Sequence, residues 1–459
     1  MFRRVLVANR GEIALRVIRA CDELGVETVA VYSTADTECL HTRRATMKVC
    51  VGPPDARRSY LSIPSMIAAA KNTGCDAVHP GYGFLAENAA FAEACTDNGL
   101  VFIGPSPDAI RQFGNKALAK TMMAEAGLPV VPGSRGAVSG VHEATAVADE
   151  VGYPVMLKAS AGGGGRGMRL VEDPDDLEQQ YLAASAEADA AFGCADMYIE
   201  HAIVDPHHVE VQVLGDGCGG VATFGERDCS IQRRHQKVLE ETPSPLLDPS
   251  TRESLQHLAH RACAGIRYAS AGTVEFLVDA QQRFYFMEMN TRVQVEHPVS
   301  EMVSGADIVR EQIRLAAGEP MELSGIQRTE GHSIEFRINA EDPNNNFLPC
   351  AGTVTRLILP GGPGVRVDTH LYEGYAVPPF YDSLLAKLIV WDVDRRSCIH
   401  RSIRCLEELV LEGLPTTRDL HLDILRHSSF VEGRYSTGFL DKTIRESSSL
   451  SCKEGVSRS

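Results

Sequence analysis

Polar side chains recur at every second position in the segment EMNTRVQVE, which ends at Glu296. If this segment is extended, alternate side chains share one face, so Glu288, Asn290, Arg292, Gln294 and Glu296 point the same way. An ordinary solvated strand would show the same alternation. The pattern therefore predicts either a solvated strand face or a polar binding site.

A further carboxylate favours the binding site. Glu275 interrupts the apolar run TVEFLV, and a turn around Asp279 to Arg283 would pair this strand with the next one and bring Glu275 near Glu288. Two carboxylates and a neighbouring amide oxygen are hard ligands, which suit Mg²⁺ bridging nucleotide phosphates better than Zn²⁺. We therefore expect a magnesium site rather than a surface strand.

A glycine cluster, KASAGGGGRGM from Lys158 to Met168, could surround phosphate groups. Glycines allow bare backbone N–H groups to approach phosphate oxygens closely. The cluster does not fit the Walker pattern G-x-x-x-x-G-K-[ST], because Lys158 precedes the glycines. A second lysine, Lys116, stands at a predicted helix start. A flexible loop beside two surface lysines is the alternative.

A basic cluster, QRRHQK from Gln232 to Lys237, stands out in a chain whose formal net charge is −16. Such clusters are often solvated loops, but an acidic protein that binds an anion needs a local positive region. Arg337 lies on a predicted apolar strand with Glu335 and Asn339 on its face. That arrangement fits a structural ion pair as well as a ligand site.

The elements that position these side chains begin with a βαβ unit. A strand at Val5 to Ala8, a helix at about Glu12 to Glu23 and a strand at Thr28 to Tyr32 predict a parallel sheet. The turn HPGYGF, which contains Tyr82, follows a later strand, at the edge where open α/β sheets bind ligands. Residues 1–112 are therefore predicted to form one doubly wound α/β domain.

The later part of the chain has a different pattern. The linker-like segment PGSRGAVSG at 132–140 and the glycine cluster after it predict a small mobile lid at about 131–204. Alternating strands such as Val209 to Leu214 and Phe284 to Met289 predict a mixed or antiparallel sheet. The predicted units are then a central domain at 113–330, a C-terminal α+β domain at 331–446 and a disordered, Ser-rich tail at 447–459.

Composition narrows the class of protein. A chain of 459 residues with 44% apolar content can form several globular cores. No apolar run reaches the roughly 18 to 20 residues of a membrane helix, and the N-terminus does not resemble a signal or transit peptide. The thirteen cysteines are scattered without a Cys-x-x-Cys pair, which predicts a reducing cytoplasm. The negative charge disfavours nucleic acid or an anionic membrane as partner.

Taken together, the motifs resemble those of the biotin carboxylases, the ATP-grasp components of acetyl-CoA, propionyl-CoA and pyruvate carboxylases. Many ATP-grasp ligases share the glycine loop and the metal carboxylates, but not the EMNTRVQVEHPV motif together with QRRHQK. The matching pieces span nearly the whole chain apart from its tail: VANRGEIALRVIRA at 7–20, HPGYGFLAEN at 79–88, KASAGGGGRGM at 158–168, ERDCSIQRRHQK at 226–237, EMNTRVQVEHPV at 288–299 and RINAED at 337–342.

The resemblance implies an ATP-grasp central domain and a role for each site residue. ATP would be bound by Lys116, Lys158, Gly164, Gly165, Glu200, His201, Ile203, His208, His235, Glu275 and Glu288. Mg²⁺ or Mn²⁺ would be held by Glu275, Glu288 and Asn290. Bicarbonate would be held by Lys237, Arg292, Gln294 and the Val295 backbone, with Glu296 as its base. Biotin would contact Arg337 and Tyr82. The catalytic residues would be Lys237, Arg292, Glu296 and Arg337.

The implied reaction converts bicarbonate to carboxyphosphate with ATP and then carboxylates biotin, giving ADP and phosphate. Positioned cations do most of the work in such a phosphoryl transfer. The resemblance further implies a homodimer that meets a separate biotin carboxyl carrier protein and carboxyltransferase subunits. This would be the first half-reaction of acetyl-CoA carboxylase, which leads to malonyl-CoA for fatty acid synthesis. We find no Ala-Met-Lys-Met motif with which the chain would carry its own biotin.

Two departures from the family pattern and two rival functions accompany this expectation. His201 stands where the family often has lysine, and Asn344 to Asn346 lengthen the loop after RINAED. The rivals are another ATP-grasp ligase, which would join an amine to an acyl phosphate or make carbamoyl phosphate, and a catalytically silent ATP-binding subunit. The intact set of charged residues argues against the silent subunit.

Overall fold

The computed structural model of the protein describes residues 1–134, 136–159 and 168–443. Gly164, Gly165 and the predicted disordered tail at 447–459 lie outside the described residues. No helix in the described ranges combines the length and the apolar character needed to cross a bilayer. The cysteines of the same ranges are all free thiols.

The first part of the chain forms a five-stranded parallel sheet flanked by helices. Its strands are β1 (Arg4–Val7), β2 (Glu27–Ser33), β3 (Met47–Gly52), β4 (Ala77–His79) and β5 (Val101–Phe102), and its helices are α1 (Gly11–Glu23), α2 (Leu40–Arg44), α3 (Ile63–Asn72), α4 (Ala89–Asp97) and α5 (Pro107–Gly114). The strand order is β3-β2-β1-β4-β5, with every pair parallel. The predicted parallel α/β sheet is confirmed.

A smaller unit follows, built on a three-stranded antiparallel sheet in the order β7-β6-β8. Its elements, with the helix that precedes it, are α6 (Lys116–Glu125), α7 (Val141–Val151), β6 (Val155–Ala159), β7 (Met168–Val171), α8 (Leu177–Phe192) and β8 (Met197–His201). Leu157 and Ile199 of the sheet pack with Ala144 of α7 and Tyr181 of α8 in a separate apolar core. The unit therefore has its own core, as the predicted lid requires.

The remaining chain forms a nine-stranded, mainly antiparallel sheet and the helices that cover it. Its main elements are β9 (His207–Asp216), β10 (Val221–Arg233), β11 (Gln236–Thr242), α9 (Pro249–Gly265), β12 (Ala269–Val278), β13 (Phe284–Asn290), α10 (His297–Ser304), α11 (Ile308–Ala316), β14 (Gly325–Ile326) and β15 (His332–Asn339). The elements after these are β16 (Glu341–Asp342), β17 (Leu348–Pro349), β18 (Gly352–Thr353), β19 (Arg356–Ile358), β20 (Val365–Thr369), β21 (Ala376–Val377), β22 (Leu384–Asp392), α12 (Arg395–Glu408), β23 (Val410–Glu412), α13 (Arg418–Arg426) and α14 (Ser428–Val431).

The large sheet runs in the order β13-β12-β9-β10-β11-β15-β22-β20, with β14 beside β10. Short 3₁₀ turns lie at Thr34–Asp36, Ala56–Arg58, Pro174–Asp176 and Pro343–Asn345. Because β11 pairs with β15, one continuous sheet crosses the predicted boundary between residues 330 and 331. The central and C-terminal parts of the chain therefore share their backbone hydrogen bonds.

Alternation along the strands gives this sheet two unlike faces. Val209, Val211 and Val213 of β9 point to an apolar core shared with α9 and α6. Glu210 and Gln212, which alternate with them, are fully buried on the opposite face. That opposite face also packs against α10, so its polar side chains are enclosed between a sheet and a helix.

A β-bulge determines on which face of the large sheet the Lys237 side chain lies. Ile231 pairs with Leu239, but the next residue of β10, Gln232, pairs with Lys237, so Val238 is an extra residue in β11. Ile231 and Leu239 belong to the apolar core under α12. The extra residue shifts Lys237 to the opposite face, as bulges do where a side chain must be re-aimed.

Candidate active site

Four charged residues form a row across neighbouring strands on the polar face of the large sheet. Arg227 of β10 pairs with Glu210 of β9, Glu210 pairs with Glu275 of β12, and Glu275 pairs with Glu288 of β13. Directly paired residues point to the same side of a sheet. The predicted hairpin that brings Glu275 to Glu288 is confirmed.

The segment after Asn290 differs from its prediction. β13 ends at Asn290, and Glu296 is the residue before the first residue of α10. The prediction that alternate residues from Glu288 to Glu296 share one strand face is therefore wrong beyond Asn290. The physical reason is the sequence HPVSEMVS, in which Pro298 fits the first helical turn and Val299 and Val303 are buried. A turn, not a strand, returns Gln294 and Glu296 to the row of carboxylates.

Lys237 lies at the centre of the cluster. Its Nζ donates to Glu210 Oε2 at 2.6 Å, to Glu296 Oε1 at 2.6 Å and to Glu275 Oε1 at 3.1 Å. An ammonium group has three N–H donors, so these carboxylates use all of them. Gln294 Nε2 and Asn290 Nδ2 also donate to Glu275 Oε1, each at 2.7 Å. The structure thus brings four predicted site residues into one cluster with Lys237: Glu275, Asn290, Gln294 and Glu296.

Arg337 meets the same cluster from β15. Its Nη2 donates to Glu296 Oε2 at 3.0 Å, and its Nε donates to Glu240 Oε1 at 2.7 Å. No hydrogen bond from Arg337 Nη1 occurs among the described residues. One end of the guanidinium is therefore open to a ligand.

The charges around Glu296 decide its protonation state. Burial would raise the pKa of Glu296, but Lys237, Arg337 and Arg227 outweigh it and hold that pKa well below its ordinary value. Glu275 behaves in the same way: burial opposes ionisation, but Lys237 and His208 keep the pKa of the carboxyl low. Both groups are therefore carboxylates near neutral pH.

Arg292 stands at the exposed edge of the cluster. Its Nε donates to Glu87 Oε2 at 2.8 Å, and its Nη2 donates to Asn290 Oδ1 at 3.0 Å. The Thr291 N–H donates to the other Glu87 oxygen at 3.1 Å. Glu87, which comes from the loop after β4, thus ties Arg292 to the first domain.

The predicted nucleotide-binding residues lie mostly in a second group. Lys158 of β6 and Lys120 of α6 both form ion pairs with the buried carboxylate of Glu200 on β8. Lys116 reaches from α6 to Glu288, with 3.2 Å between Nζ and Oε2. The lysines of α6 therefore link the lid sheet to the edge of the large sheet.

The remaining predicted residues are more dispersed. His208 Nε2 lies 2.7 Å from Glu275 Oε2, which joins it to the central cluster. His201 Nδ1 lies 3.0 Å from the Gly152 carbonyl oxygen, Ile203 is half-buried nearby, and His235 is exposed in the turn between β10 and β11. Tyr82 donates its hydroxyl to Glu12 rather than to a predicted site residue.

Several residues of the cluster were not singled out from the sequence. Arg227 donates to Glu210 at 2.5 Å and to Gln294 Oε1 at 3.0 Å, and it is fully buried. Glu210 alternates with valines, which is the signal that identified Glu275, and could have been found in the same way. Glu240 and Lys120 gave no such signal, because their partners come from distant parts of the chain.

The comparisons with known proteins agree with this geometry. Family models match three successive segments: biotin carboxylase, N-terminal domain, at 1–110; carbamoyl-phosphate synthase L chain, ATP binding domain, at 115–324; and biotin carboxylase C-terminal domain at 335–442. A biotin carboxylase of Nostoc sp. is 54% identical over 96% of this chain and 99% of its own length. Biotin carboxylase 1 of Bacillus subtilis is 52% identical over 96% of this chain and 98% of its own.

Solved structures show the same likeness. A biotin carboxylase–β,γ-ATP complex from Campylobacter jejuni has a TM-score of 0.93 and 48% identity, covering 96% of this chain and 99% of its own. The biotin carboxylase domain dimer of Hydrogenobacter thermophilus 2-oxoglutarate carboxylase, solved with MgADP, ADP and bicarbonate, has a TM-score of 0.91 and 48% identity, covering 96% and 98%. The chain belongs to the biotin carboxylase family of ATP-grasp enzymes.

Proposed function

We propose that the chain uses MgATP and bicarbonate to carboxylate biotin that is attached to a separate carrier protein. The observation that carries the proposal is the meeting of Lys237 and Arg337 on a single buried carboxylate, Glu296. A base for bicarbonate and a cation for the developing negative charge of biotin are thereby held within one hydrogen-bonded cluster. The proposed steps follow from these contacts.

The donors at the edge of the cluster fit a magnesium ion. Glu275, Glu288 and Asn290 supply two carboxylates and an amide oxygen, which are the ligand types that Mg²⁺ prefers, and Mn²⁺ accepts the same donors. These residues would hold the ion. When bound, it would neutralise charge on the ATP phosphates.

ATP would lie between the lid sheet and the large sheet. Lys116 and Lys158 would bind its phosphates as point charges, and Glu200, His201, Ile203, His208 and His235 would border the nucleotide. Gly164 and Gly165, which lie outside the described residues, would be further phosphate ligands. The pairing of Lys158 and Lys120 with Glu200 supports this position, because it keeps two lysines together at the lid sheet. Closing the lid would exclude water from a labile acyl phosphate.

Bicarbonate would be held by Lys237, Arg292, Gln294 and the Val295 backbone. Glu296 would accept its proton as the hydroxyl oxygen attacks the γ-phosphorus of ATP, which breaks the bond to ADP and forms carboxyphosphate. Glu296 is ionised, as a base must be before it can accept a proton, because Lys237 and Arg337 hold its pKa below the ordinary value. Holding the anion beside its base contributes by orientation.

Biotin would enter beside Arg337 and Tyr82. Carboxyphosphate releases carbon dioxide and phosphate, and the phosphate would take the ureido N–H proton while the nitrogen attacks carbon dioxide. The Arg337 guanidinium would stabilise the negative charge on the ureido oxygen. The open Nη1 group supports this role, since Nε and Nη2 are already engaged by Glu240 and Glu296.

We place this activity in acetyl-CoA carboxylase, with a biotin carboxyl carrier protein and carboxyltransferase subunits as partners and malonyl-CoA for fatty acid synthesis as the eventual product. The Nostoc and Bacillus subtilis relatives, of whose length this chain covers 98% or more, are named for biotin carboxylase alone, which supports a subunit that works with separate partners. The dimer of the 2-oxoglutarate carboxylase domain supports a homodimer.

The test is transfer of labelled bicarbonate to a biotinylated carrier protein, with ATP and Mg²⁺, while ADP release is measured. We expect labelled carboxybiotin that depends on ATP. ADP release that requires an amine and ignores biotin would instead indicate another ATP-grasp ligase. Supplying acetyl-CoA, propionyl-CoA or pyruvate with the matching carboxyltransferase then distinguishes the downstream acceptor.

A further inference from the structure

A fully buried lysine, Lys387 of β22, lies beneath the turn that carries the proposed bicarbonate site. Its side chain is 0% exposed. Its Nζ donates to the Val295 carbonyl oxygen at 2.9 Å and lies 3.2 Å from Glu12 Oε2 and 4.0 Å from Asp368 Oδ2. Burying an ammonium group is costly unless it is paired, so a specific arrangement must hold this one.

The bond to Val295 fixes a particular peptide unit. The Val295 carbonyl belongs to the planar unit that joins Val295 to Glu296. Holding that carbonyl orients the backbone from which the Glu296 carboxylate projects towards Lys237. The turn has no strand ladder to hold it, because β13 has already ended at Asn290. Backbone N–H groups of His297 and Val299 bond the Gln294 and Glu296 carbonyls, but among the described residues none donates to the Val295 carbonyl, so Lys387 supplies that bond.

The same lysine reaches the proposed biotin side through Glu12. Tyr82 donates its hydroxyl to Glu12 Oε1, and the second oxygen of Glu12 faces Lys387. Glu12 lies on α1 and Tyr82 follows β4, whereas Lys387 belongs to β22 and Val295 to the central part of the chain. Three parts of the molecule thus meet at one ammonium group directly under the turn.

We infer that Lys387 is a positioning residue that holds the Val295–Glu296 peptide in the orientation that bicarbonate activation requires. The inference rests on the proposed roles of Val295 and Glu296. Because its side chain is fully buried, Lys387 would not contact bicarbonate or ATP itself. It acts through the backbone, so its loss affects the handling of bicarbonate more than the binding of ATP.

Removal of Lys387 alone would leave Glu12 buried without its cation, so the test uses pairs of variants that are neutral at both positions. Glu12→Gln/Lys387→Gln keeps an N–H donor near the Val295 carbonyl. Glu12→Gln/Lys387→Met has similar size and no donor. Gln at position 12 can still accept the Tyr82 hydroxyl, and Asp368 keeps its ion pair with Arg366 at 2.6 Å.

The measurement is bicarbonate-dependent ATP hydrolysis without biotin. We expect kcat/KM for bicarbonate to be about tenfold lower in the Met variant than in the Gln variant, the size of one lost buried hydrogen bond. We expect KM for ATP to differ between the two by less than about twofold. A purely structural role would change both parameters, and the melting temperature, together.

Equal kcat/KM values for bicarbonate in the two variants would overturn the inference, provided that the wild-type enzyme turns over. A wild-type enzyme without bicarbonate-dependent turnover would overturn the proposed function and the inference with it. If the Met variant does not fold, the Gln variant is compared with Glu12→Gln. Its shorter side chain should lower kcat/KM for bicarbonate by about threefold, and an unchanged value would count against Lys387 as an anchor.

Discussion

On one face of the nine-stranded sheet, Val209, Val211 and Val213 pack against α9 in an apolar core, whereas on the other face Glu210 lies beside Arg227 and Lys237. Both faces are buried. Apolar packing stabilises the first face, and on the second face buried charged side chains pair with one another. The residues that stabilise the fold and the residues of the candidate site therefore alternate along the same strands.

The charged face is neutralised before any substrate arrives. Lys237 has all three N–H groups engaged by carboxylates, and Arg337 is engaged at Nε and Nη2. Unpaired charges in this position would be too costly to bury. If bicarbonate binds Lys237 as proposed, it must replace a carboxylate partner of that lysine, so binding would exchange one ion pair for another instead of neutralising a bare cation.

The strongest test of the difference between the faces is Glu296→Gln. We expect bicarbonate-dependent ATP hydrolysis to fall by about 10³-fold, because the amide keeps the shape of the side chain but cannot accept a proton. The melting temperature should change little, since Lys237 and Arg337 keep other carboxylate partners. A matched control is Glu335→Gln, which replaces another buried acidic side chain of this face, one whose pKa burial raises well above its ordinary value, and should leave hydrolysis nearly unchanged. A large loss of stability in Glu296→Gln would contradict the separation.

Arg337→Ala should separate biotin carboxylation from the bicarbonate-dependent hydrolysis of ATP. Biotin-stimulated turnover should fall by about 10² to 10³-fold, because the charge proposed to stabilise the ureido oxygen is lost. Slow bicarbonate-dependent ATP hydrolysis without biotin should persist. Parallel assays of ADP release with and without biotin measure the difference. Equal loss of both activities would contradict the assignment of Arg337 to the biotin site.

The apolar face should respond in the opposite way. Phe276 is fully buried and contacts Phe284 edge-on, with ring centroids 5.8 Å apart. Phe276→Ala should lower the free energy of unfolding by about 3 to 5 kcal/mol through the cavity it leaves. Denaturant unfolding measures this loss. Folded enzyme assayed at low temperature should keep its KM for ATP, and a KM that rises with the loss of stability would show that the faces are coupled.

Glu240 should make the free energy of unfolding depend on pH. It pairs with Glu335 across β11 and β15, and burial, together with the charge of Glu296, raises the pKa of Glu240 from 4.5 to about 7 despite Arg337. A raised pKa means that the folded protein binds this proton more tightly than the unfolded chain, so the stabilisation is complete below pH 4.5 and is lost as the pH rises through 7.

The corresponding variant is Glu240→Gln, which resembles the protonated acid. Between pH 5 and 8 the wild type should lose about 2 to 3 kcal/mol of stability relative to this variant. Thermal unfolding at several pH values gives the two curves. Curves that run parallel over this range would show that Glu240 is already ionised.

The smallest effect is expected at His201, where the family often has lysine. The His201 ring is engaged with the Gly152 carbonyl, so the side chain is directed at the lid backbone. His201→Lys should change KM for ATP by less than about threefold. Lys158→Ala, a proposed phosphate ligand, serves as the positive control in the same assay. A tenfold or larger effect at position 201 would give this residue a direct role in nucleotide binding.

The elements that were predicted correctly depend on local signals. The first strand and the first helix were predicted from the apolar pattern of residues 5–23, and the structure has them at Arg4–Val7 and Gly11–Glu23. The pairing of Glu275 with Glu288 follows from alternation and one short turn. Such features are determined within a few residues of the chain, so the sequence is sufficient to predict them.

The features that were missed depend on distant partners. Polar and apolar residues still alternate from Thr291 to Glu296, but this segment lies outside the sheet. The start of α10 at His297 determines where the segment runs. The bulge at Val238 exists only in relation to β10, and the anchor at Lys387 joins three parts of the chain. No local period of the sequence encodes these relations.

The continuity of the large sheet limits how this molecule can be recombined. The ATP-binding family model ends at 324 and the C-terminal model begins at 335, yet β11 and β15 are joined by backbone hydrogen bonds across that gap. A chimera cut between these segments would have to match strand register, bulge position and two buried faces at once. The lid sheet, which has its own core, is the part that a relative could donate with least disturbance. Sequence divergence within the family should accordingly accumulate in the lid faster than along the β11–β15 seam.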